Sequence, residues 1–438
     1  MTGRSLPGFR EAKLLDLWRN QWRSADELRA GQDRKLRDLV RHAYETVPFY
    51  RDLYDSVGFS PAAFRGLADL QSLPIVSKDD LRRWPADQTV ARGTDLRRCQ
   101  ASSSSGTTGI PLTVYASPRD STVRNLGWIR TYLANGMSPF DALAAFVGRA
   151  PAERAGRWNE RIGVFRRHEI SAWLGPDEWV ARLQKWRPEA MTGYVMTLRI
   201  LAEFVRDRPE VNIRPRVIFH TSALLDDGSR RLFEDVFGCR VVDIYGSDEA
   251  GCIAWECPTC REYHVNEDLV LLEVLRDGRP ALPGEDGDVV CTSLCSSVMP
   301  FIRYRQGDVV QVSARRPACG RGFPLIARIQ GRVEDFLVLG NGQKMPPHPF
   351  YHCIDPVAGI TRWRIVQETA GRLRVEILRG HGLSAGVVPS VERNLAALTR
   401  GEMQIQVVVV DDLAVAPGEK FRTIRSFAPA STPARNGG

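Results

Sequence analysis

Apolar residues recur at three- and four-residue spacing near the start of the chain, at Leu14, Leu15, Leu17 and Trp18 and again at Leu36, Leu39, Val40 and Ala43. That spacing puts them on one face of a helix, so residues 11–65 read as helical, with breaks near Pro48 and Gly58. A Ser-rich loop, Ser102–Gly109, follows among short apolar segments. Between positions 190 and 250 the pattern alternates: a helix at Thr197–Val205, a strand at Val217–His220, a helix at Gly228–Phe237 and a strand at Arg240–Ile244. Strand, helix and strand in that order predict a parallel sheet covered by helices. Residues 262–330 read as β-rich, with strands Val265–Val274, Gly287–Thr292 and Asp308–Val312 separated by Gly and Pro turns. Beyond Gly331 and Arg332, strands at Ile365–Gln367, Leu373–Leu378 and Ile405–Val410 and a helix at Val391–Leu398 predict a small α+β unit. The expected fold class is α/β, with a large N-terminal domain over 1–331 that combines parallel sheets with a β-rich portion, and a C-terminal α+β domain over 332–438.

A length of 438 residues supports this division, since it exceeds what one hydrophobic core ordinarily serves. The apolar runs Leu269–Leu272 and Val407–Val410 are strand-sized and far short of a membrane span. Met1–Arg10 has no apolar core behind its charges, so no export signal is read and a cytoplasmic protein is expected, with no membrane partner. The net charge of +8 raises the question of a nucleic-acid partner. The basic residues are dispersed among acidic ones with no Lys/Arg block interleaved with aromatics, which argues against one. Of the 60 basic residues only six are Lys (13, 35, 78, 185, 344 and 420), so a position that keeps Lys does so against the composition of the chain. Lys is a mobile point charge and does not substitute for the planar Arg fork. Nine cysteines without an export signal argue against a disulfide framework, and their clustering points to metal.

Four segments carry candidate chemistry. Ser102–Gly109 (SSSSGTTG) offers hydroxyls and Gly backbone N–H groups that suit a polyphosphate, without the Gly-Lys-Ser/Thr of a kinase-type P-loop. On this loop alone, a flexible Ser linker is the other reading. Asp243–Glu249 (DIYGSDE) lies at the carboxyl end of an expected parallel strand, where ligands gather, and a carboxylate there suits Mg²⁺. Met299–Asp308 (MPFIRYRQGD) and Gly331–Asp335 (GRVED) each read alone as surface turns with paired charges.

Taken together in this order and spacing, the four segments resemble the adenylate-forming superfamily of acyl- and aryl-coenzyme A ligases. His42–Arg51 (HAYETVPFYR) and Leu73–Lys78 (LPIVSK) narrow the resemblance to the phenylacetate-coenzyme A ligase-like branch. The resemblance implies that Ser104, Ser105, Gly106, Thr107, Thr108 and Gly109 wrap the ATP phosphates. Tyr245 and Gly246 would lie against adenine and the acyl group, with Ala223 also lining the substrate site. It further implies that Glu249 ligates Mg²⁺, that Asp308 accepts from the ribose hydroxyls near Arg332, and that Glu334 is the hinge of a mobile C-terminal lid. Gly418–Arg422 (GEKFR) resembles the segment that supplies a mobile catalytic lysine, here Lys420. The chain departs from the family pattern at Ile110, Asp248 and Ala223, where relatives carry Lys, Thr and Glu.

Cys257-Pro258-Thr259-Cys260 followed by His264 has the knuckle spacing of a tetrahedral Zn²⁺ site. Some phenylacetate-coenzyme A ligase-like proteins carry a structural zinc in this region, and their Cys-Gly-Arg segment corresponds to Cys319. The resemblance thus implies the set Cys257, Cys260, His264 and Cys319, with Cys252 as a substitute. Reduced cysteines packed as small apolar residues are the alternative. His348 and His352 are left unassigned.

The activity implied is ATP-dependent activation of a carboxylic acid, aromatic or arylacetic, to an acyl-adenylate, followed by thioester formation with coenzyme A. Transfer to a carrier-protein thiol or an amine is the alternative within enzymology. A zinc-containing nucleic-acid-binding protein is a more distant one. Oligomeric state is left open, a homodimer included.

Overall fold

Three helices begin at a serine followed three residues later by an acidic residue, and at each the two side chains and backbone N–H groups satisfy one another reciprocally. The pairs are Ser24 with Glu27, Ser77 with Asp80, and Ser117 with Asp120. The helices they open are α2 (Ala25–Thr46), α4 (Lys78–Arg82) and α5 (Pro118–Ala134). α1 (Leu14–Asn20) precedes α2, and α3 (Pro48–Ser56) follows it. Pro48 therefore opens a helix, where its missing N–H costs nothing, and the break falls at Val47. The computed structural model describes residues 13–103, 112–148, 162–172, 174–332, 336–342, 344–345, 348–354, 357, 359–360, 362–378, 384–413 and 423–427.

The chain divides into two units. The first comprises 1–225, 229–306 and 310–328, and the second comprises 329–438 with the short pieces Asp226–Gly228 and Gly307–Val309. In the first, β1 (Gln100–Ser103) pairs antiparallel with β2 (Thr113–Ala116). A 12-stranded sheet then takes β3 (Ala142–Val147), β4 (Arg166–Ser171), β5 (Ala190–Gly193), β6 (Val217–Thr221), β7 (Arg240–Ser247), β8 (Gly251–Glu256) and β9 (Tyr263–Val265). It continues with β10 (Val270–Arg276), β11 (Arg279–Pro280), β12 (Asp286–Ser293), β13 (Tyr304–Val312) and β14 (Leu325–Arg332). The strand order is β11-β10-β12-β13-β14-β9-β8-β7-β6-β5-β3-β4.

The run from β4 through β3, β5 and β6 to β7 is parallel, as the alternating pattern predicts. Its strands give alternate residues to two faces. Ala144, Met191, Ile218 and Val241 pack with α6 (Pro176–Trp186), α7 (Val195–Arg206) and α8 (Asp227–Phe237), while Leu143, Ala190, Phe219 and Val242 pack with Tyr132 of α5. From β7 onward the pairing turns antiparallel, through β8 to β9.

The single strand expected over Val265–Val274 is two strands, β9 and β10. The intervening turn is fixed by a buried polar knot. Arg130, fully buried on α5, donates to Asp268 Oδ2 at 2.6 Å and Asn266 Oδ1 at 2.7 Å, and the Trp255 indole donates to the same Asn266 oxygen at 3.1 Å. Asn266 and Asp268 are thereby committed inward as acceptors, and the chain turns between them. The strand expected from Asp308 begins earlier, at Tyr304.

In the second unit β15 (Leu337–Val338) pairs with β16 (Lys344–Met345), and α9 (His348–Ile354) follows. A four-stranded sheet of β17 (Trp363–Thr369), β18 (Arg372–Leu378), β19 (Gln404–Val410) and β20 (Ile424–Ser426) has the order β19-β18-β17-β20. α10 (Val387–Leu398) lays Val391 and Leu395 on Ile365, Val375 and Ile377, all fully buried. No helix among the described residues is long and apolar enough to cross a membrane.

Candidate active site

β7 carries the Tyr-Gly segment out of the parallel sheet and into a tight turn to β8, with a bulge between Tyr245 and Gly246. Only glycine fits at 246. A Cβ there would lie 2.7 Å from the Gly251 carbonyl oxygen and 3.1 Å from the Trp128 ring. The turn is closed by the Ala250 N–H donating to Ser247 Oγ at 3.0 Å. Tyr245 is buried, Asp248 points to solvent, and Glu249 is 7% exposed. The Tyr304 hydroxyl donates to Glu249 Oε1 at 3.1 Å. Among the described residues no basic side chain makes an ion pair with Glu249.

Arg124 of α5 holds the same turn from its backbone side, donating to the carbonyls of Asp248 at 2.7 Å and Glu249 at 3.1 Å and to Ser296 Oγ at 2.6 Å. Asp120, the acidic partner in the α5 capping box, accepts from the Ser297 hydroxyl at 2.8 Å and the Val298 N–H at 3.2 Å. The start of α5 is thus tied to the loop that leads into Met299–Arg305.

That loop explains the two N-terminal segments. Tyr50 of α3 donates its hydroxyl to the Pro300 carbonyl and accepts from the Ile302 N–H, both at 3.0 Å, and burial pushes its phenol well up. Val76 of the Leu73–Lys78 segment bridges Tyr304, its N–H donating to the Arg303 carbonyl at 3.0 Å. Arg303 is buried. It pairs with Glu273 through Nε at 3.0 Å and Nη2 at 2.9 Å, and donates to the carbonyls of Gln71 at 3.0 Å and Leu73 at 2.5 Å. It therefore braces the strand that presents Tyr304.

Beneath Tyr245 lies a buried polar chain that sequence reasoning missed. His220 Nδ1 lies 3.0 Å from Asp243 Oδ1, the Tyr263 hydroxyl donates to Asp243 Oδ2 at 2.8 Å, and Arg230 donates to Glu256 at 2.8 Å. Burial, then the Asp243 carboxylate, hold the Tyr263 phenol far above its ordinary range. Asp243 therefore faces the interior, and Glu249 is the buried carboxylate of the turn. The signal available was only the register of two neighbouring strands, since His220 and Asp243 are paired positions of β6 and β7.

The other sequence-selected residues divide three ways. Ala223 is exposed, just after Ser222, whose φ of 81° is in the left-handed region. Asp308 and Arg332, both of the second unit, form an ion pair at 3.5 Å. Ser104–Gly109, Ile110, Glu334 and Lys420, with the side chains of His348 and His352, lie outside the described residues.

Cys257, Cys260, His264 and Cys319 come together, their ligand atoms all within 4.8 Å of one another. A tetrahedral Zn²⁺ with Zn–S bonds of about 2.3 Å needs ligand atoms roughly 3.7 Å apart, so the cluster is of the right size. His264 Nδ1 lies 3.1 Å from the Phe323 carbonyl, which leaves Nε2, itself 3.1 Å from Cys319 Sγ, facing the cluster. Burial lowers the His264 pKa to about 4 and raises that of Cys257 to about 11. Burial also opposes the Cys319 thiolate, but hydrogen bonds from the Arg321 backbone and side chain bring its pKa below the ordinary thiol value. Cys252 stands apart on β8, with its sulfur 3.4 Å from Thr131 Oγ1.

A mixed sheet with a parallel half, a separate small α+β unit and a glycine-locked Tyr-Gly turn ending in a buried glutamate define an adenylate-forming type of fold. The chain is 32% identical to the phenylacetate-coenzyme A ligase of Escherichia coli over 342 residues, covering 72% of this chain and 74% of the relative. It is 30% identical to that of Thermus thermophilus over 335 residues, 72% of each chain. It belongs to the phenylacetate-coenzyme A ligase family, and so is an enzyme of the AMP-forming acid-thiol ligase type. No family model matches the chain. In fold it is similar to a 2-hydroxyisobutyryl-coenzyme A ligase crystallised with an acyl-AMP, at a TM-score of 0.79 and 20% identity, covering 93% of this chain and 91% of the other. An anthranilate-coenzyme A ligase shares the fold at a TM-score of 0.56 and 14% identity, covering 81% and 73% of the two chains.

Proposed function

We propose that the chain activates an aromatic or arylacetic carboxylic acid with ATP and passes the acyl group to coenzyme A. A substrate carboxylate oxygen attacks the α-phosphorus of ATP, a P–O bond to the β-phosphate breaks, and pyrophosphate leaves. The coenzyme A thiol, giving up its proton, then attacks the acyl carbon of the mixed anhydride, the C–O bond to the phosphate breaks, and AMP leaves. The observation that carries this reading is Glu249, a carboxylate held at 7% exposure with a hydroxyl donor and, among the described residues, no cation paired with it. Burying an unpaired carboxylate is costly, and a hard divalent cation arriving with the nucleotide relieves that cost. Mg²⁺, when bound, neutralises phosphate charge as pyrophosphate departs.

In this reading Tyr245 and Gly246 lie against adenine and the acyl group, with Ala223 at the substrate side. Asp308 takes the ribose hydroxyls, with Arg332, its ion-pair partner at 3.5 Å, beside it. The resemblance adds Ser104–Gly109 for the phosphates, Glu334 as hinge, and Lys420 as the ammonium that meets charge developing at the α-phosphate. Residues 1–331 would be the adenylation domain and 332–438 the lid. Cys257, Cys260, His264 and Cys319 fit a closed structural Zn²⁺ site that fastens the Cys257–Cys260 knuckle to the Cys319 loop, with no position open for chemistry. A cytoplasmic location belongs to the same reading.

A panel of carboxylic acids scored by pyrophosphate release, with and without coenzyme A, tests it. Arylacetic or aromatic acids should release pyrophosphate, and coenzyme A should accelerate turnover and accumulate as thioester. Release independent of any acid overturns the reading. Release with thioester absent moves the acceptor to a carrier protein or an amine.

A further inference from the structure

Glu249 meets the two adjoining elements through different groups. From β13, the Tyr304 hydroxyl reaches its carboxylate at 3.1 Å. Tyr304 is itself 2% exposed, edge-on to Phe301 at 5.2 Å, and its strand is pinned by the Val76 bridge. From α5, Arg124 grips the main-chain carbonyls of Asp248 and Glu249 and ends on Ser296, whose Oγ lies 2.7 Å from Ser293 Oγ. One contact fixes the carboxylate and the other fixes the backbone that carries it. A glutamate side chain left to itself samples several rotamers, and ordering it at the moment of cation binding weakens that binding.

We propose that Tyr304 and Arg124 are positioning residues for Glu249, holding its carboxylate ready for the divalent cation before the nucleotide arrives. The proposal rests on the reading of Glu249 as the cation ligand. Neither residue touches the reacting atoms in this account. Tyr304 acts by hydrogen-bonding the ligand oxygen, as outer partners of metal ligands do, and Arg124 by denying the turn other conformations.

The test is Mn²⁺ binding, followed by the electron paramagnetic resonance of free Mn²⁺, with α,β-methylene ATP present. The proteins are the parent, Tyr304→Phe, Arg124→Met, Arg124→Lys, Glu249→Gln and the double variant Tyr304→Phe/Glu249→Gln. Loss of an outer partner should weaken Mn²⁺ binding roughly 10- to 100-fold in Tyr304→Phe. Arg124→Met should do likewise, and Arg124→Lys, which keeps a cationic donor, should recover part of the loss. In the Glu249→Gln background, Tyr304→Phe should have no further effect. If Tyr304→Phe binds Mn²⁺ like the parent, or weakens it by the same factor with and without Glu249, the positioning role is overturned while the ligand reading stands. If Glu249→Gln itself binds like the parent, the ligand reading falls and takes the proposal with it.

Discussion

Arg303 sits in the Met299–Asp308 segment, yet its guanidinium is committed to Glu273 and to the carbonyls of Gln71 and Leu73, so its replacement separates a structural role from a catalytic one. In Arg303→Met the Glu273 carboxylate loses hydrogen bonds of 3.0 and 2.9 Å, and the carbonyls of Gln71 and Leu73 lose donors at 3.0 and 2.5 Å. Arg303 is buried and Glu273 largely so, their side chains 7% and 13% exposed, so water replaces little of what is lost. Removing one member of a buried pair costs about 3–5 kcal/mol, most of it from the charge left behind. Replacing both, as Arg303→Met/Glu273→Leu, removes that stranded charge and should recover about 2 kcal/mol or more. The assay is urea denaturation followed by tryptophan fluorescence on the parent, both single variants and the double. Acid-dependent pyrophosphate exchange, measured well below the transition, should fall in Arg303→Met because Tyr304 follows the strand. A single-variant cost below about 1 kcal/mol, or a double variant whose loss equals the sum of the singles, would refute the claim that this pair braces the site.

Three further outcomes are expected. Cys260→Ser should lower zinc content from about one ion per chain toward none and lower the melting temperature, and unchanged metal content removes the zinc assignment. Lys420→Ala should cut acid-dependent pyrophosphate exchange roughly 100- to 1,000-fold with near-parental folding, and exchange at the parental rate shows that another group does this work. Glu267 is half-buried, and burial pushes its carboxyl up to about 7 from 4.5. Between those values the folded chain holds a proton that the unfolded chain has released, so this group erodes stability as pH rises through that window. Glu267→Gln should accordingly melt higher than the parent by a margin that opens between pH 4.5 and 7, and a margin independent of pH contradicts the assignment.

What was legible in the sequence was local. The parallel run was written in the order of strands and helices, and the cysteine knuckle in a three-residue spacing whose backbone closes through the Arg261 N–H to the Cys257 carbonyl at 2.9 Å. Pro48 marked a true break, since α2 ends at Thr46 and α3 opens at Pro48, but the 265–274 stretch misled because Asn266, Glu267 and Asp268, read as part of one strand, form a turn held by buried polar side chains. Arg130 escaped notice entirely. One arginine among 54 carries no mark of its own, and its partners Asn266 and Asp268 lie more than a hundred positions away. Arg124 and Tyr304 reach Glu249 across 125 and 55 positions of the chain. His220 and Asp243 became neighbours only through strand register. Cys319 joined the metal set through resemblance, because a gap of 55 residues to His264 has no local meaning.

The central claim, that an acyl-adenylate lies between acid and thioester, predicts where the substrate's own oxygen goes. A carboxylic acid found active in the panel, labelled with ¹⁸O in its carboxylate, should be turned over with ATP and coenzyme A and the AMP examined by mass spectrometry. The mechanism requires one ¹⁸O in each AMP formed, because the attacking oxygen stays on phosphorus when the thiol displaces it. Unlabelled AMP, or ADP carrying no label beside an acyl product, would contradict it.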